Sequence, residues 1–238
     1  SSVINFANPE VIFHLAAQPL VRTSYKSPIE TFETNVMGTV HTMDAMRGLV
    51  DLRVAVMVTT DKVYRNNEWH WPYRETDSLG GHDPYSASKA ASELVIDSYR
   101  NSFLHDNKVA ISSARAGNVI GGGDWSDDRL IPDAIRAWQH NAVLDIRRPN
   151  AVRPWQHVLD CLNGYLTLLH SADDSGFRGA FNFGPHSDAV SPVRHIVAIV
   201  REVLDLPLRT KTENASDLPE DQYLLLDSSL ARTRLGWI

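Results

Sequence analysis

Tyr85 and Lys89 stand four residues apart in "PYSASKAASE", and "TTDK" sets Thr60, Asp61 and Lys62 in a row upstream of them. On a helix, positions i and i+4 share a face. A phenol titrates near ~10 in water, and a neighbouring ammonium stabilises the phenolate and lowers that value. A tyrosine so placed can take a hydroxyl proton while a hydride leaves the carbon beneath. The adjacent carboxyl and amine of Asp61 and Lys62 suit a further proton transfer, although a solvated turn also displays such pairs. Tyr-x-x-x-Lys is common by chance. Its weight here comes from its place after an apolar run, among Ser86, Ser88, Ala87, Ala90 and Ala91.

Elements must bring these groups together. Short β-branched runs alternate with longer amphipathic stretches, the signature of βαβ units and a parallel sheet. "EVIFHLAA" (Glu10 to Ala17) predicts a buried strand. Pro28 opens a predicted helix to about Leu49, with Ile29, Phe32, Val36, Val40, Met43 and Met46 at helical spacing. "RVAVMVTT" (Arg53 to Thr60) is a continuous apolar strand suited to burial on both faces. A helix from Asp83 to His105 and a strand from Lys108 to Ala116 follow. Further on, "GNVIGGGDWSDDR" is a Gly-rich loop long enough to line a ligand. Helices near Leu130–His140, Trp155–His170 and Pro192–Leu204 are separated by short strands such as "GAFNFG". In an open parallel sheet, ligands sit beyond the carboxyl ends of the strands. His14–Gln18, Thr59–Tyr64 and Arg115–Asn118 should therefore converge on one crevice.

The composition is that of a globular chain: 238 residues, 43% hydrophobic and 22% charged. A net charge of −6 argues against a phosphate-tracking nucleic-acid surface. Cys161 is the only cysteine, so no intrachain disulfide can form, and a reducing, cytoplasmic compartment is expected. No apolar run reaches the ~18 residues of a membrane span. The histidines lack paired metal spacing, and no metal is expected. The chain opens "SSVINFANPE" without Met and stops at "LGWI", and we expect a piece of a longer protein.

"HLAAQ", "NVMGT", "TTDKVY", "PYSASKAASE", "ARAGNVIGGGDW" and "RPWQHV", in this order and over nearly the whole chain, resemble the extended short-chain dehydrogenase/reductase family. Within it the chain is most similar to the nucleotide-sugar 4,6-dehydratases, the CDP-sugar branch above all. The resemblance implies an α/β fold: a Rossmann-type doubly wound parallel sheet with its N-terminal part missing, and a smaller, interleaved substrate domain. It assigns residues 1–118 to NAD binding and residues 119–238 mainly to the nucleotide sugar. The implied partners are NAD and CDP-glucose or a related nucleotide sugar. The helices at Pro28–Leu49 and Asp83–His105 resemble the pair that forms a four-helix interface in a homodimer or dimer of dimers.

Residue by residue, the resemblance makes Tyr85 the base at the sugar O4, Lys89 its electrostatic partner and ribose contact, and Thr60 a hydrogen-bond partner of the same hydroxyl. Asp61 and Lys62 occupy positions where the dTDP-sugar relatives carry Asp, which protonates the departing O6, and Glu, which removes the C5 proton. Lys62 departs from that pair. It can replace the Glu only as a neutral amine, which requires a lowered pKa, so either Asp61 or Lys62 handles C5. Leu15, Ala16, Ala17, Gln18, Asn35, Thr59, Tyr85 and Lys89 are the implied cofactor contacts, with Asn35 equally readable as a helix-surface residue. Asn118, Arg129 and Arg153 are the implied substrate contacts. Arginine suits bidentate phosphate recognition, and Arg153 is preferred. Trp69, Trp71 and Tyr73 read as loop packing.

The Gly-rich pyrophosphate turn of this family is not in the chain, and the resemblance places it before Ser1. At roughly 30 residues per βαβ unit, ~60 or more residues, that turn among them, would precede Ser1, and the chain as given should bind NAD weakly. Gly121–Gly123 is no substitute, because it follows the third strand. A nucleotide-sugar 4-epimerase is the nearest alternative, but epimerases of this group carry no charged pair where this chain has "TTDK". A non-catalytic sugar-nucleotide binder would need none of Thr60, Asp61, Lys62, Tyr85 and Lys89.

Overall fold

A computed structural model describes residues 2–105, 109–175, 177–186, 189–205, 207–212 and 221–238. The first half forms α1 (Ser2–Ala7), β1 (Val11–His14), α2 (Val21–Lys26), α3 (Pro28–Phe32), a π-helical turn (Glu33–Met37) and α4 (Gly38–Met46). Then come β2 (Val54–Val58), a 3-10 turn (Asp61–Val63), α5 (Pro84–Ser102) and β3 (Ala110–Ala116). The second half adds β4 (Val119–Ile120), α6 (Leu130–Gln139), β5 (Val143–Asp145), β6 (Val152–Arg153), β7 (Gln156–His157) and α7 (Val158–Ser175). It closes with β8 (Gly179–Phe183), β9 (Ser191–Pro192), α8 (Val193–Val203), β10 (Arg209–Lys211) and α9 (Ser229–Leu235).

The main sheet runs β1-β2-β3-β8, every pair parallel. Successive strand residues point to opposite faces, so a strand covered by helices on both sides must be apolar at every position. β2 meets that condition. Val54 and Val56 pack toward Cys161, Tyr165 and Leu168 of α7, while Ala55 and Met57 join Met43 and Met46 of α4 and Ile96 of α5. Each such buried aliphatic side chain contributes on the order of 1.5–3 kcal/mol. This is the doubly wound, Rossmann-type arrangement the sequence predicts. β8, from the second half, completes the same sheet, and Phe183 meets Trp237 edge-on at 5.3 Å. A separate core joins α6, β5, α8 and the chain before β10 through Ala137, Leu144, Ile146, Val197 and Leu208.

Two expectations about elements are corrected. β1 is a half-exposed edge strand, with Phe13 37% exposed, because among the described residues it has a hydrogen-bonded neighbour on one side only. The helix from Pro28 is interrupted by the π-helical turn and ends at Met46, short of Leu49. The extra residue in that turn shifts the buried stripe. Thr31, Asn35 and Thr39 are buried, while Ile29 and Phe32 are left exposed. Lys108, the expected start of the third strand, lies outside the described residues.

Candidate active site

The carboxyl ends of β2 and β3 open into a crevice of about 1510 Å³, with Tyr85, Asn118, Arg129 and Arg153 among its lining residues. Each reactive group reaches it for a local reason. The Thr60 hydroxyl caps the 3-10 turn by accepting from the Lys62 amide at 3.4 Å, which turns Asp61 and Lys62 off the end of the strand. Asp83 caps α5, its carboxylate accepting from the Ser86 amide at 2.9 Å and hydroxyl at 2.6 Å, with Pro84 in the first turn. The Tyr85 amide donates to the Ser24 hydroxyl at 3.1 Å, tying the start of α5 to α2. Lys89 follows one turn on, beside the end of β2, where its ammonium donates to the Val58 carbonyl at 3.4 Å.

Asp61 is buried. Its Oδ1 accepts from the Thr60 hydroxyl at 3.0 Å, and Oδ2 has no hydrogen-bond partner. The carboxyl lies directly over Gly117, where a Cβ would sit 2.0 Å from Oδ2. Burial pushes the Asp61 pKa up, more than Lys62, Thr60 and Arg153 pull it down. The group is therefore biased toward its acid form. Burial pulls Lys62 the opposite way, but the charge and hydrogen bond of Asp221, with Asp61, outweigh it and hold its pKa above the usual amine range. The neutral amine that a base at C5 would require is thus disfavoured, which corrects the lowered pKa set out as the condition for Lys62.

Tyr85 also departs from expectation. Burial raises its phenol to about 12, opposed by a hydrogen bond to Thr60, and Asp61, Arg129 and Asp83 also act on it, whereas Lys89 is not among these groups. Lys89 is itself pulled down to about 8 by burial, with Glu93 opposing. Burial and the same Lys89 charge lower the His14 pKa.

The cofactor candidates divide. Leu15 and Ala16 are exposed beyond β1, and Ala17 is half-buried. Asn35 is buried, not on a helix surface. It accepts from the Gln18 amide at 2.8 Å and donates to the Gln18 carbonyl and the Ser88 hydroxyl. The Gln18 side chain donates to Thr31 at 2.9 Å, and the Thr59 hydroxyl donates to Glu93 at 2.6 Å. Lys89 has three donors and makes one long hydrogen bond to protein, so it retains capacity for the hydroxyls of a ribose.

Among the substrate candidates, Asn118 takes a left-handed conformation, φ 48°, at the crevice wall. Arg129 sits 3.6 Å from Asp124, and its Nε has no hydrogen-bond partner. Arg153 donates to the backbone carbonyls of Val152, Asp221 and Gln222, so of the two arginines it is the more committed to protein. Tyr73 stacks on Tyr64 at 5.1 Å and lies beside Trp69, whereas Trp71 is exposed.

Sequence reasoning missed two features. Glu93 and Arg115 form a buried pair at 2.9 Å beneath the crevice. A single charge inside β3, with Glu93 one turn after Lys89, was the available signal. Asp221 bonds Lys62 at 2.9 Å from far along the chain, and no local pattern announces it.

The family model described as GDP-mannose 4,6 dehydratase matches residues 1–238. The chain belongs to that family of nucleotide-sugar 4,6-dehydratases, enzymes on a Rossmann-type fold. A CDP-glucose 4,6-dehydratase from Salmonella typhimurium is 44% identical over all of this chain and 68% of its own length. The structure of a dTDP-glucose 4,6-dehydratase from Streptomyces venezuelae with NAD bound aligns at TM-score 0.80, with 23% identity, over 96% of this chain and 68% of that one. A UDP-glucose 4-epimerase from Brucella ovis in complex with NAD aligns at 0.87, with 19% identity, over 100% and 75%.

Proposed function

We propose that the protein converts CDP-D-glucose to CDP-4-keto-6-deoxy-D-glucose. The observation that carries this reading is Asp61, a carboxyl kept toward its acid form by burial and joined to Tyr85 through Thr60. A 4-epimerase must only oxidise and reduce C4; an acid beside that base is what loss of the C6 hydroxyl adds. The 44% identity to the Salmonella enzyme supports the choice of CDP-glucose over other nucleotide sugars.

In this reading Thr60 and Tyr85 hold the O4 hydroxyl, and Tyr85, once ionised, takes its proton. Lys89 binds the nicotinamide ribose, with Leu15, Ala16, Ala17, Gln18, Asn35 and Thr59 lining the cofactor side. Held there, NAD would supply the hydride acceptor for oxidation at C4 and the hydride source for reduction at C6. The 4-ketone so formed acidifies the C5 hydrogen, and Asp61 protonates the departing O6. Asn118, Arg129 and Arg153 hold the diphosphate, so that residues 1–118 serve NAD and residues 119–238 mainly the sugar nucleotide. The exposed apolar surface of Ile29, Phe32, Met37 and Leu94 on α3, the π-helical turn and α5 supports a homodimer built on these helices.

The test is incubation of the full-length protein with CDP-, dTDP-, UDP- and GDP-sugars. The expected result is a 4-keto-6-deoxy product from CDP-glucose. A C4 epimer without dehydration would overturn the reading in favour of an epimerase.

A further inference from the structure

Lys62 lies between two carboxyl groups of different origin. Asp61 precedes it in the chain, and Asp221 reaches it from the segment 221–227. That segment is fastened from both sides. The Glu68 carboxylate accepts from the amides of Gln222 at 2.9 Å and Tyr223 at 3.0 Å, and Asn66 donates to the Tyr223 carbonyl at 3.0 Å. The Val152 amide and the Arg153 guanidinium bond the Gln222 carbonyl. Tyr73 exchanges backbone hydrogen bonds of 2.9 Å with Leu225 and Asp227, while Leu224 and Leu226 are buried beside its ring. The backbone of Asp221 is therefore held, and its carboxylate meets the Lys62 ammonium at 2.9 Å with the side chains 26% and 25% exposed. A surface pair would be worth little. This one stands on the wall of the crevice, where its effect is on the neighbouring acid.

We propose that Asp221 is a positioning residue for the dehydration step: it holds Lys62 as a fixed cation beside Asp61, so that Lys62 supplies charge rather than acting as the base. This rests on the dehydratase reading above. Asp61 then carries both protons of the elimination. In one concerted step its own proton passes to O6 while its other oxygen takes the C5 proton; the C5–H pair, drawn partly onto the 4-keto oxygen, becomes the C5–C6 double bond as the C6–O pair departs with the oxygen. Water leaves and the Asp61 acid is restored. Lys62 keeps its proton and offsets the negative charge that builds on the 4-keto oxygen as C5 is deprotonated. The charged and titratable groups facing Lys62 are Asp221, Asp61 from its own turn, Arg153 from β6 and Tyr25 from α2. Arg153 alone among them opposes the cation.

The experiment uses the full-length enzyme with NAD and CDP-glucose, comparing Asp221→Asn, Asp221→Glu, Lys62→Arg and Lys62→Met. C4 oxidation is read as bound NADH and dehydration as 4-keto-6-deoxy product, with C5 exchange followed in deuterated water. Asp221→Asn should leave oxidation and KM nearly unchanged and slow dehydration by ~10², the scale of losing a positioned group. Its alkaline limb should move to lower pH, since a lysine without its anionic partner loses its proton sooner. Asp221→Glu should restore both. Lys62→Arg, which keeps the charge but cannot act as a base, should dehydrate faster than Lys62→Met. An Asp221→Asn variant with the wild-type dehydration rate and an unmoved limb would overturn the proposal, as would Lys62→Arg matching Lys62→Met in rate and C5 exchange. If the wild type dehydrates no sugar nucleotide, the dehydratase reading fails instead. The coupling is still decided by the carbon-13 shift of Lys62 Cε in substrate-free protein, whose titration midpoint Asp221→Asn must lower.

Discussion

Two charged pairs flank the end of β2, and they are treated oppositely by their surroundings. Glu93 accepts at Oε1 from the Thr59 hydroxyl at 2.6 Å and Arg115 Nε at 2.9 Å, and at Oε2 from the Ser113 hydroxyl at 2.8 Å and Arg115 Nη2 at 2.9 Å. Burial alone would push its pKa up, but Arg115 and these donors hold it below the usual carboxylate range. Arg115 in turn donates to Tyr64 at 2.9 Å, and Tyr64 to Asn182 at 2.6 Å, so the network is closed. Asp61 is as thoroughly buried, yet it has one donor on Oδ1 and none on Oδ2. Its pKa goes up. Burial does not by itself decide the charge of a carboxyl; the number of donors aimed at it does. The satisfied pair is closed to further partners, and the acid keeps an unpartnered oxygen.

The sharpest way to break this contrast is Arg115→Met, which leaves Glu93 buried without its cation. Losing one partner of a buried pair costs about 3–5 kcal/mol, and chemical denaturation should show a loss of that size. A loss no larger than a surface substitution would mean the network is not a scaffold. Tyr85→Phe tests the reactive side. The ring remains and the proton acceptor goes, so bound-NADH formation should slow by ~10²–10⁴ with substrate binding nearly intact; oxidation close to the wild-type rate would remove Tyr85 from the role. Gly117→Ala probes the close approach of Asp61. Its Cβ would meet Oδ2 at 2.0 Å, and the overpacking should cost about 1–3 kcal/mol in thermal unfolding while displacing the acid and slowing dehydration.

The smallest effects are in the pH dependence of stability, and their signs differ. Glu93 has a folded pKa below its unfolded value near ~4, so its contribution is present above that pH and is lost as the pH falls through the folded value. Asp61 has a raised folded pKa, so the folded state binds the extra proton, and its contribution declines as the pH rises from ~4 through the folded value. Asp61→Asn should therefore raise stability by about 0.5–2 kcal/mol at neutral pH, with the gain shrinking toward pH ~4. Glu93→Gln should lower stability most at neutral pH. Parallel pH profiles for the two variants would collapse the comparison.

Much of the site was legible. The continuous apolar run of β2 announced burial on both faces, Asp83-Pro84 announced the start of α5, and Tyr85 with Lys89 announced a shared face. The π-helical turn was not: Ile29, Phe32, Val36 and Val40 fit a regular helix, and one residue of slippage moves burial to Thr31, Asn35 and Thr39. The directions in which the Tyr85 and Lys62 pKa values move were not legible from their neighbours in sequence. Desolvation and Asp221 depend on what packs around them.

The sequence by itself determined the alternation of strands and helices and the end of the sheet at which the candidate side chains gather. Those properties reside in periodicities of two and four residues and in caps, all read within one element. Only the tertiary structure decided that the Asp61 pKa is pushed up while that of Glu93 is held down, that Lys62 is held above the usual amine range, and that Asp221 stands 2.9 Å from Lys62. Charge and pKa are set by every group within a few ångströms, and the chain brings those groups from as far as 159 residues away.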